Sequence, residues 1–243
     1  MKWTLSALAV VLVLRVWDPW PIETIRLKYF DALLTSKESI ESQTLSLYNI
    51  DENELARGGQ WPWPRQQLAE LNRNLFNSGA AAVVYSVLFP EEDRFGGDVE
   101  FAESMEAIPT FLSAVATADT NRQDGWSVGV ATLGPVHENA INYPGILPNV
   151  AVLQEGAIGT GIVNTAPEVD GLVRRVPMVV RVGESLYPAL GLDVLRGLAG
   201  DPSYQVRGGD NGIQAVRVPS FETINTDAAG RVWIDWSVEF SQE

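Results

Sequence analysis

The chain has 243 residues, a formal net charge of -14 and no cysteine. The length fits one large domain or a domain with an anchor, and the charge excludes a basic face for nucleic acid and disfavours docking of the globular part on anionic lipid. Without cysteine there are no disulfides and no thiolate chemistry, and a single histidine, His137, excludes a histidine-rich metal site within one chain.

Trp3 to Leu14 is apolar and follows Lys2, the pattern of a secretory or anchor signal. The run ends in Arg15-Val-Trp17-Asp-Pro-Trp20 with no small-x-small cleavage site, so an uncleaved anchor over residues 1–20 is expected. From Trp3 to Trp20 a helix spans ~26 Å at about 1.5 Å per residue, against a hydrocarbon core of about 30 Å. Arg15 can snorkel and the tryptophans can sit at the interfaces. A buried core helix is the competing reading of so short a run.

From Ile22 to Leu34 apolar residues recur three and four apart, which predicts a helix leading out of the membrane. Ser36 to Thr44 is polar and reads as a linker. Leu45 to Ile50, closed by Asp51, reads as a strand. In Trp61-Pro62-Trp63-Pro64-Arg65 each proline drives the residue before it out of helical geometry. Both tryptophans are therefore held extended, and Pro64 opens a helix over Arg65–Asn77 that Gly79 stops. Ala80–Phe89 reads as a buried strand, Asp98–Ala107 as a helix and Thr110–Ala118 as a strand. Strand–helix–strand–helix–strand predicts a parallel sheet covered by helices.

Residues 119–156 are less regular, with loops over Asn121–Gly125 and a strand near Trp126–Ala131. Thr160–Asn164 and Leu172–Val182 read as strands paired about the turn Asp170-Gly171. A turn at Gly183-Glu184, a helix over Ala189–Leu198 ended by Gly200, a hairpin at Gly208–Gly212, and a turn at Asp227–Gly230 before a strand Val232–Trp236 complete the chain.

Leu47-Tyr-Asn-Ile-Asp51-Glu52, Trp61-Pro-Trp-Pro-Arg65, Gly79-Ala-Ala-Ala-Val-Val and Val87-Leu-Phe89 resemble the first half of a CHASE2 domain, an extracytoplasmic sensory module of bacterial membrane receptors. Gly161-Ile-Val-Asn164 and Asp170-Gly171-Leu-Val-Arg174-Arg175-Val-Pro177 resemble its second half, so the likeness runs from roughly Trp17 to Trp236. Ser86 stands where the family usually has an aspartate. The resemblance implies a cell-membrane location with the globular part outside the cytoplasm. In such receptors an output domain, often a cyclase or kinase, follows further transmembrane helices; neither lies in this chain, and the C-terminal end of the domain is expected to be incomplete. The expected division is an anchor over 1–20, a juxtamembrane helix and linker over 21–44 and the sensory domain over 45–243. The expected fold class is α/β: a mainly parallel sheet covered by helices, antiparallel hairpins in the C-terminal half, and an N-terminal membrane-anchor helix.

The candidate ligand-binding residues are Asp51, Trp61, Trp63, Arg65, Ser86, Asn164 and Arg174. Ligands of open α/β sheets sit beyond the carboxyl ends of strands, where Asp51, Arg65 and Ser86 are expected to converge. Two readings stand for the Trp-Pro loop: a pocket of flat aromatic surface beside an arginine fork, or tryptophans capping the core while Arg65 pairs with Asp51. Arg174 and Arg175, adjacent on an expected strand, face opposite sides, one reaching an anion or Asp170 and the other solvated. Asn164 either orients a ligand or caps a hairpin. Glu91, Glu92, Asp93 and Asp98 read as a solvated acidic loop, without the spacing of a calcium loop.

No dinucleotide fingerprint, phosphate-binding Gly-Lys-Ser/Thr or nucleophile elbow occurs. No cofactor, no metal and no catalytic residue is expected. The expected function is sensory: binding an unidentified small molecule or sensing envelope state. Homodimerisation is an open possibility. The competing readings are a dimerisation module without ligand and a hydrolase using Asp51 with a second acid.

Overall fold

The structure is a computed structural model and describes residues 2–17, 19–120, 126 and 128–242. The loop read over 121–125 lies outside the described residues. The chain forms two compact units. The first comprises residues 1–50, 167–174 and 234–243, and the second residues 51–166 and 175–233.

The first unit opens with α1 (Lys2–Trp17) and α2 (Trp20–Thr35), separated by Pro19, whose extended backbone caps α2. The single helix expected over 1–20 is thus cut at Trp17. No helix among the described residues is long and apolar enough to cross a membrane; α1 has 16 residues. The Ile22–Leu34 helix forms as its spacing predicts. Of its apolar residues Ile25, Tyr29 and Leu33 stay exposed, while Leu27 is fully buried. The region read as a linker is not one: β1 (Ile40–Leu47) starts inside it and pairs in parallel with β15 (Val238–Gln242). The polar residues Glu41, Ser42, Gln43 and Thr44 do not prevent this, because the strand is solvated rather than core.

The second unit holds α3 (Glu52–Gly58), α4 (Arg65–Asn77), β2 (Val83–Tyr85), α5 (Asp98–Ala107), β3 (Thr110–Thr117), β4 (Gly129–Leu133), β5 (Ile141–Tyr143), β6 (Gly145–Leu147) and α6 (Ala151–Gly156). It continues with β7 (Gly159–Ile162), β8 (Arg175–Pro177), β9 (Val179–Val182), β10 (Ser185–Pro188), α7 (Leu190–Ala199), β11 (Ser203–Gly209), β12 (Gly212–Arg217), β13 (Ile224–Asn225) and β14 (Arg231–Trp233). The central strand β3 pairs in parallel with β2 and β7 and antiparallel with β6. A second sheet runs β13-β12-β11-β4, and a third β10-β9-β5.

The fold is therefore α/β, but its sheets are mixed rather than mainly parallel. Of the first strand, expected over Leu45–Ile50, only Leu45–Leu47 is strand, as the end of β1, and β1 is absent from the β2–β3–β7 sheet. The strand read over Ala80–Phe89 shrinks to Val83–Tyr85. The hairpin expected about Asp170-Gly171 also does not form. The turn is present, with Glu168 N–H donating to Leu172 O, but β7 pairs with β3, β8 with β14, and β9 with β10 and β5. The bounds of α4 and α5, the β9–β10 hairpin and the β11–β12 hairpin agree with the sequence.

Under α4 and α5 lies a core of Leu68, Val83, Tyr85, Phe89, Phe101, Met105 and Leu112. Tyr85, Phe89 and Phe101 meet edge to face, with centroids 5.4 to 6.0 Å apart, the arrangement that aligns positive ring edges with negative faces. A second core gathers Tyr204, Val206 and Val216 with Leu186 and Leu192.

Candidate functional site

The Trp-Pro segment lies between two helix termini. Asp51 caps α3: its Oδ1 accepts from the backbone N–H groups of Asn53 (2.8 Å) and Glu54 (3.0 Å), satisfying donors the first turn leaves unpaired. These bonds hold the Asp51 carboxyl below its usual range. The far end of α3 meets Trp63, whose indole N–H donates to Gly59 O at 2.8 Å. A Cβ on Gly58 would lie 2.8 Å from the Trp63 ring, so only glycine lets the ring close there. Trp61 and Trp63 touch edge to face at 5.9 Å, and both are half-buried against the α4–α5 core.

Pro64 is the residue before α4 and has no side chain that can cap it. Asp93 does so instead, its Oδ2 accepting from Arg65 N–H at 3.0 Å. A carboxylate there also answers the positive end of the helix dipole. Asp93 accepts further from the N–H groups of Phe95 and Gly97, both at 3.2 Å, and donates its own N–H to Asp98 Oδ2 at 2.6 Å. The loop lies tight on α4: a Cβ on Gly97 would stand 2.6 Å from the Gln66 side chain. Over this loop lies the buried side chain of Arg65. Its Nε is 3.3 Å from Asp98 Oδ1, close enough for an ion pair but not aligned as a hydrogen bond. Its guanidinium stacks 4.5 Å above the Phe89 ring, a cation–π contact strengthened by desolvation. Burial pushes the Asp93 carboxyl up, but its three N–H donors and the charge of Arg65 outweigh burial and leave it below its usual value.

The expected solvated loop is thus organised around Arg65 for part of its length. Asp98 is buried and Asp93 half-buried, whereas Glu91 and Glu92 remain exposed. Chemically the centre is a loop clamp. The Asp93 oxygens are committed to N–H donors, and its acid groups neighbour a guanidinium rather than each other. No cluster of three or more metal-ligating residues occurs among the described residues.

The structure brings Trp61, Trp63 and Arg65 together, but the convergence expected for Asp51, Arg65 and Ser86 does not form. The topological premise fails, because β1 and β2 belong to different sheets. Arg65 pairs with Asp98 rather than Asp51, and Ser86 is an exposed residue just beyond β2. Asn164 clasps β3: its Oδ1 accepts from Ala116 N–H at 2.7 Å and its Nδ2 donates to Ala116 O at 2.8 Å. Its amide thus imitates the next rung of the β3–β7 ladder.

Arg174 lies in the first unit, just before β8, with 2% of its surface exposed. Its Nε and Nη2 donate to the two oxygens of Asp31 at 2.7 and 2.6 Å, and its Nη1 and Nη2 to those of Asp170 at 2.8 and 2.7 Å. Two bidentate forks share one guanidinium, the geometry Arg is built for. The hydrogen bonds of Arg174 draw Asp170 down to about 2. Arg175 is not solvated as expected; it pairs with Asp227 at 3.2 Å and stacks over Trp233.

Sequence reasoning missed Asp31, Asp93 and Asp98 as arginine partners. Asp31 is an acid set amid the apolar residues in the second half of α2, and Asp98 follows the pair Gly96-Gly97 at a helix start; both were signals. The Asp93–Arg65 bond spans 28 residues and left no local trace.

The CHASE2 domain model matches residues 6–242. No curated protein and no solved structure matches the chain. The Trp-Pro clamp and the Asp170–Arg174 turn are built from the segments that carry the resemblance, the matched region takes in both units, and the chain belongs to the CHASE2 domain family, a family of extracytoplasmic sensory domains.

Proposed function

We propose that this chain is the receiving part of a membrane-tethered sensor. It binds a small molecule or responds to envelope state, and signals to an output domain beyond this chain. The tether is the N-terminal segment 1–20, in which α1 lies. The observation that carries the reading is the make-up of the first unit: α2, which continues from α1, is bound through Asp31 to Arg174, and the same unit ends in the β1–β15 pair. A change in the second unit is passed along the chain at Arg174–Arg175 and Trp233–Ile234. It then biases the position of α2 by population shift. Helix α1 at 16 residues spans ~24 Å, so it sits in a thinned bilayer; Trp3 and Trp20, both largely exposed, mark the interfaces.

An alkaline phosphatase fusion after Gly200 tests the location. Enzyme activity is expected, together with membrane retention until detergent is added. An inactive fusion, or release without detergent, overturns the reading.

A second reading, a dimerisation module, draws on Ile25, Tyr29 and Leu33. They are exposed at four-residue spacing along α2, one helical stripe suited to a second copy. The chain has no cysteine, so Tyr29→Cys gives a clean crosslinking probe. A disulfide-linked dimer in membranes supports the stripe; monomers under oxidation refute it.

A further inference from the structure

We propose that the outer face of the β4–β11–β12 sheet binds a small organic anion, a carboxylate or phosphate on a short apolar or aromatic body, with Arg207 and Arg217 as its cationic contacts. The proposal rests on the sensory reading and names the class of molecule received.

Strand alternation builds the face. Tyr204 and Val206 point into the core, so Gln205 and Arg207 point away from it. The register sets Ala131 and Leu133 of β4 beside Gln205 and Arg207 on one side, and Arg217 and Ala215 of β12 opposite them on the other. Arg207 and Arg217 are thus diagonal neighbours, about 7–8 Å apart at the backbone, close enough for two guanidiniums to reach one anion. Thr223 adds a hydroxyl at the rim, and the concavity holds about 290 Å³, near the lower limit for small-molecule sites. Its floor is apolar, from Ala131, Ala215 and the 68% exposed Leu133.

The charge makes the site selective. Arg217 donates to the backbone carbonyls of Pro219 (3.2 Å) and Phe221 (3.4 Å). Those neutral partners aim the guanidinium and leave its charge unanswered. Arg207 has no hydrogen-bond or ion-pair partner among the described residues. Glu222 shares a neighbouring recess with Arg217 but forms no ion pair with it. Arg65, Arg174 and Arg175 each have an aspartate beside them, whereas the exposed Arg207 and Arg217 form no ion pair among the described residues, in a chain of net charge -14. An anion with an apolar body satisfies both features of the face: bidentate donors for its head and a desolvating floor for its body.

The test is a calorimetric titration of the detergent-solubilised full chain with benzoate and phenylphosphate, with benzamide and inorganic phosphate as controls. At least one aryl anion is expected to bind saturably with Kd at or below ~1 mM. Affinity should fall at least ~tenfold in Arg207→Gln, as a charge-assisted contact implies, and should fall with added salt. Because Arg207 has no partner among the described residues, that variant should melt like the parent, so lost binding is not lost folding. Arg217→Gln should weaken binding as well. The proposal is overturned if neither aryl anion saturates, if Arg207→Gln binds unchanged, or if benzamide or inorganic phosphate binds as tightly as the aryl anions. Binding to phosphatidylglycerol vesicles that benzoate does not displace would also overturn it, by assigning the face to a lipid surface. A chain that exports the phosphatase fusion but binds no aryl anion loses this site and keeps the sensory reading.

Discussion

Arg65 and Arg174 are both buried arginines beside two aspartates, yet they work differently. At Arg65 the carboxylates are held mainly by backbone N–H groups, and the guanidinium stacks on Phe89 while its nearest acid is poorly aligned. At Arg174 the side-chain bonds are themselves the structure, four of them between 2.6 and 2.8 Å. The first centre shapes a loop that persists largely through its own backbone. The second joins a helix to a turn 143 residues away through side chains alone. Similar residues therefore give a local clamp in one unit and a long-range clip in the other.

The largest test of that contrast is Arg174→Ala. Removing the buried guanidinium takes away four charge-assisted bonds at once and should destabilise the first unit more than Asp93→Ala or Asp51→Ala destabilises the second. Hydrogen exchange should speed up across β1 and α2 while α4 keeps its protection; equal loss in both units would erase the distinction. Next is Asp93→Ala, expected to cost about 2 kcal/mol for the lost cap and its companion bonds. The amides of Arg65, Phe95 and Gly97 should exchange faster, with the β1–β15 ladder unaffected.

A carboxyl titration by NMR sharpens the comparison further. Asp170 is lowered from 3.8 to about 2, first by its bonds from Arg174, so Arg174→Ala should return it towards 3.8. Asp93 is lowered mainly by backbone donors working against burial, so Arg65→Ala, which keeps the residue 65 N–H, should leave it depressed. The sign follows from linkage: a carboxylate depressed in the folded state stabilises above its unfolded value and loses that contribution as pH falls through its folded value. The clip should therefore be intact above pH 3.8 and fail on the way down to about 2. The smallest effect is expected of Asp51→Ala, which frays α3 and loosens Trp63, read as a red-shifted indole emission with no change in exchange elsewhere.

What the sequence disclosed follows the range of the interactions. Helices α4 and α5 were legible because the determinants are local: apolar residues at helical spacing, Pro64 before one, Gly79 after the other end. The β11–β12 hairpin was legible for the same reason, its glycine-rich turn fixing the pairing. Strand partners beyond hairpin range were not. Gly159–Ile162 carries no mark that it joins β3 rather than the strand after Asp170, and the polar stretch containing Ile40 to Thr44 hid a solvated strand whose partner is near the other end of the sequence. The same holds at the site. Trp61, Trp63 and Arg65 were found as a group because they are neighbours in the chain. Ser86 joins them only in a sheet order that does not exist, and the burial of an acid such as Asp98 shows only once its arginine is in place.

The pairing of β1 with β15 bears on the order in which the protein becomes native. Lys37 and Asp235, whose ion pair adjoins that ladder, lie 198 residues apart. Closing so long a loop costs chain entropy before any contact repays it, which makes such contacts late in folding. During synthesis, β1 emerges early and must wait unpaired while the whole of the second unit is made. The second unit can mature first, and the segment next to α1 and α2 is the last to lock. A chain newly made should therefore carry a folded second unit while the first is unfinished, with the exposed edge of β1 as its point of vulnerability to proteases and to pairing with the wrong strand.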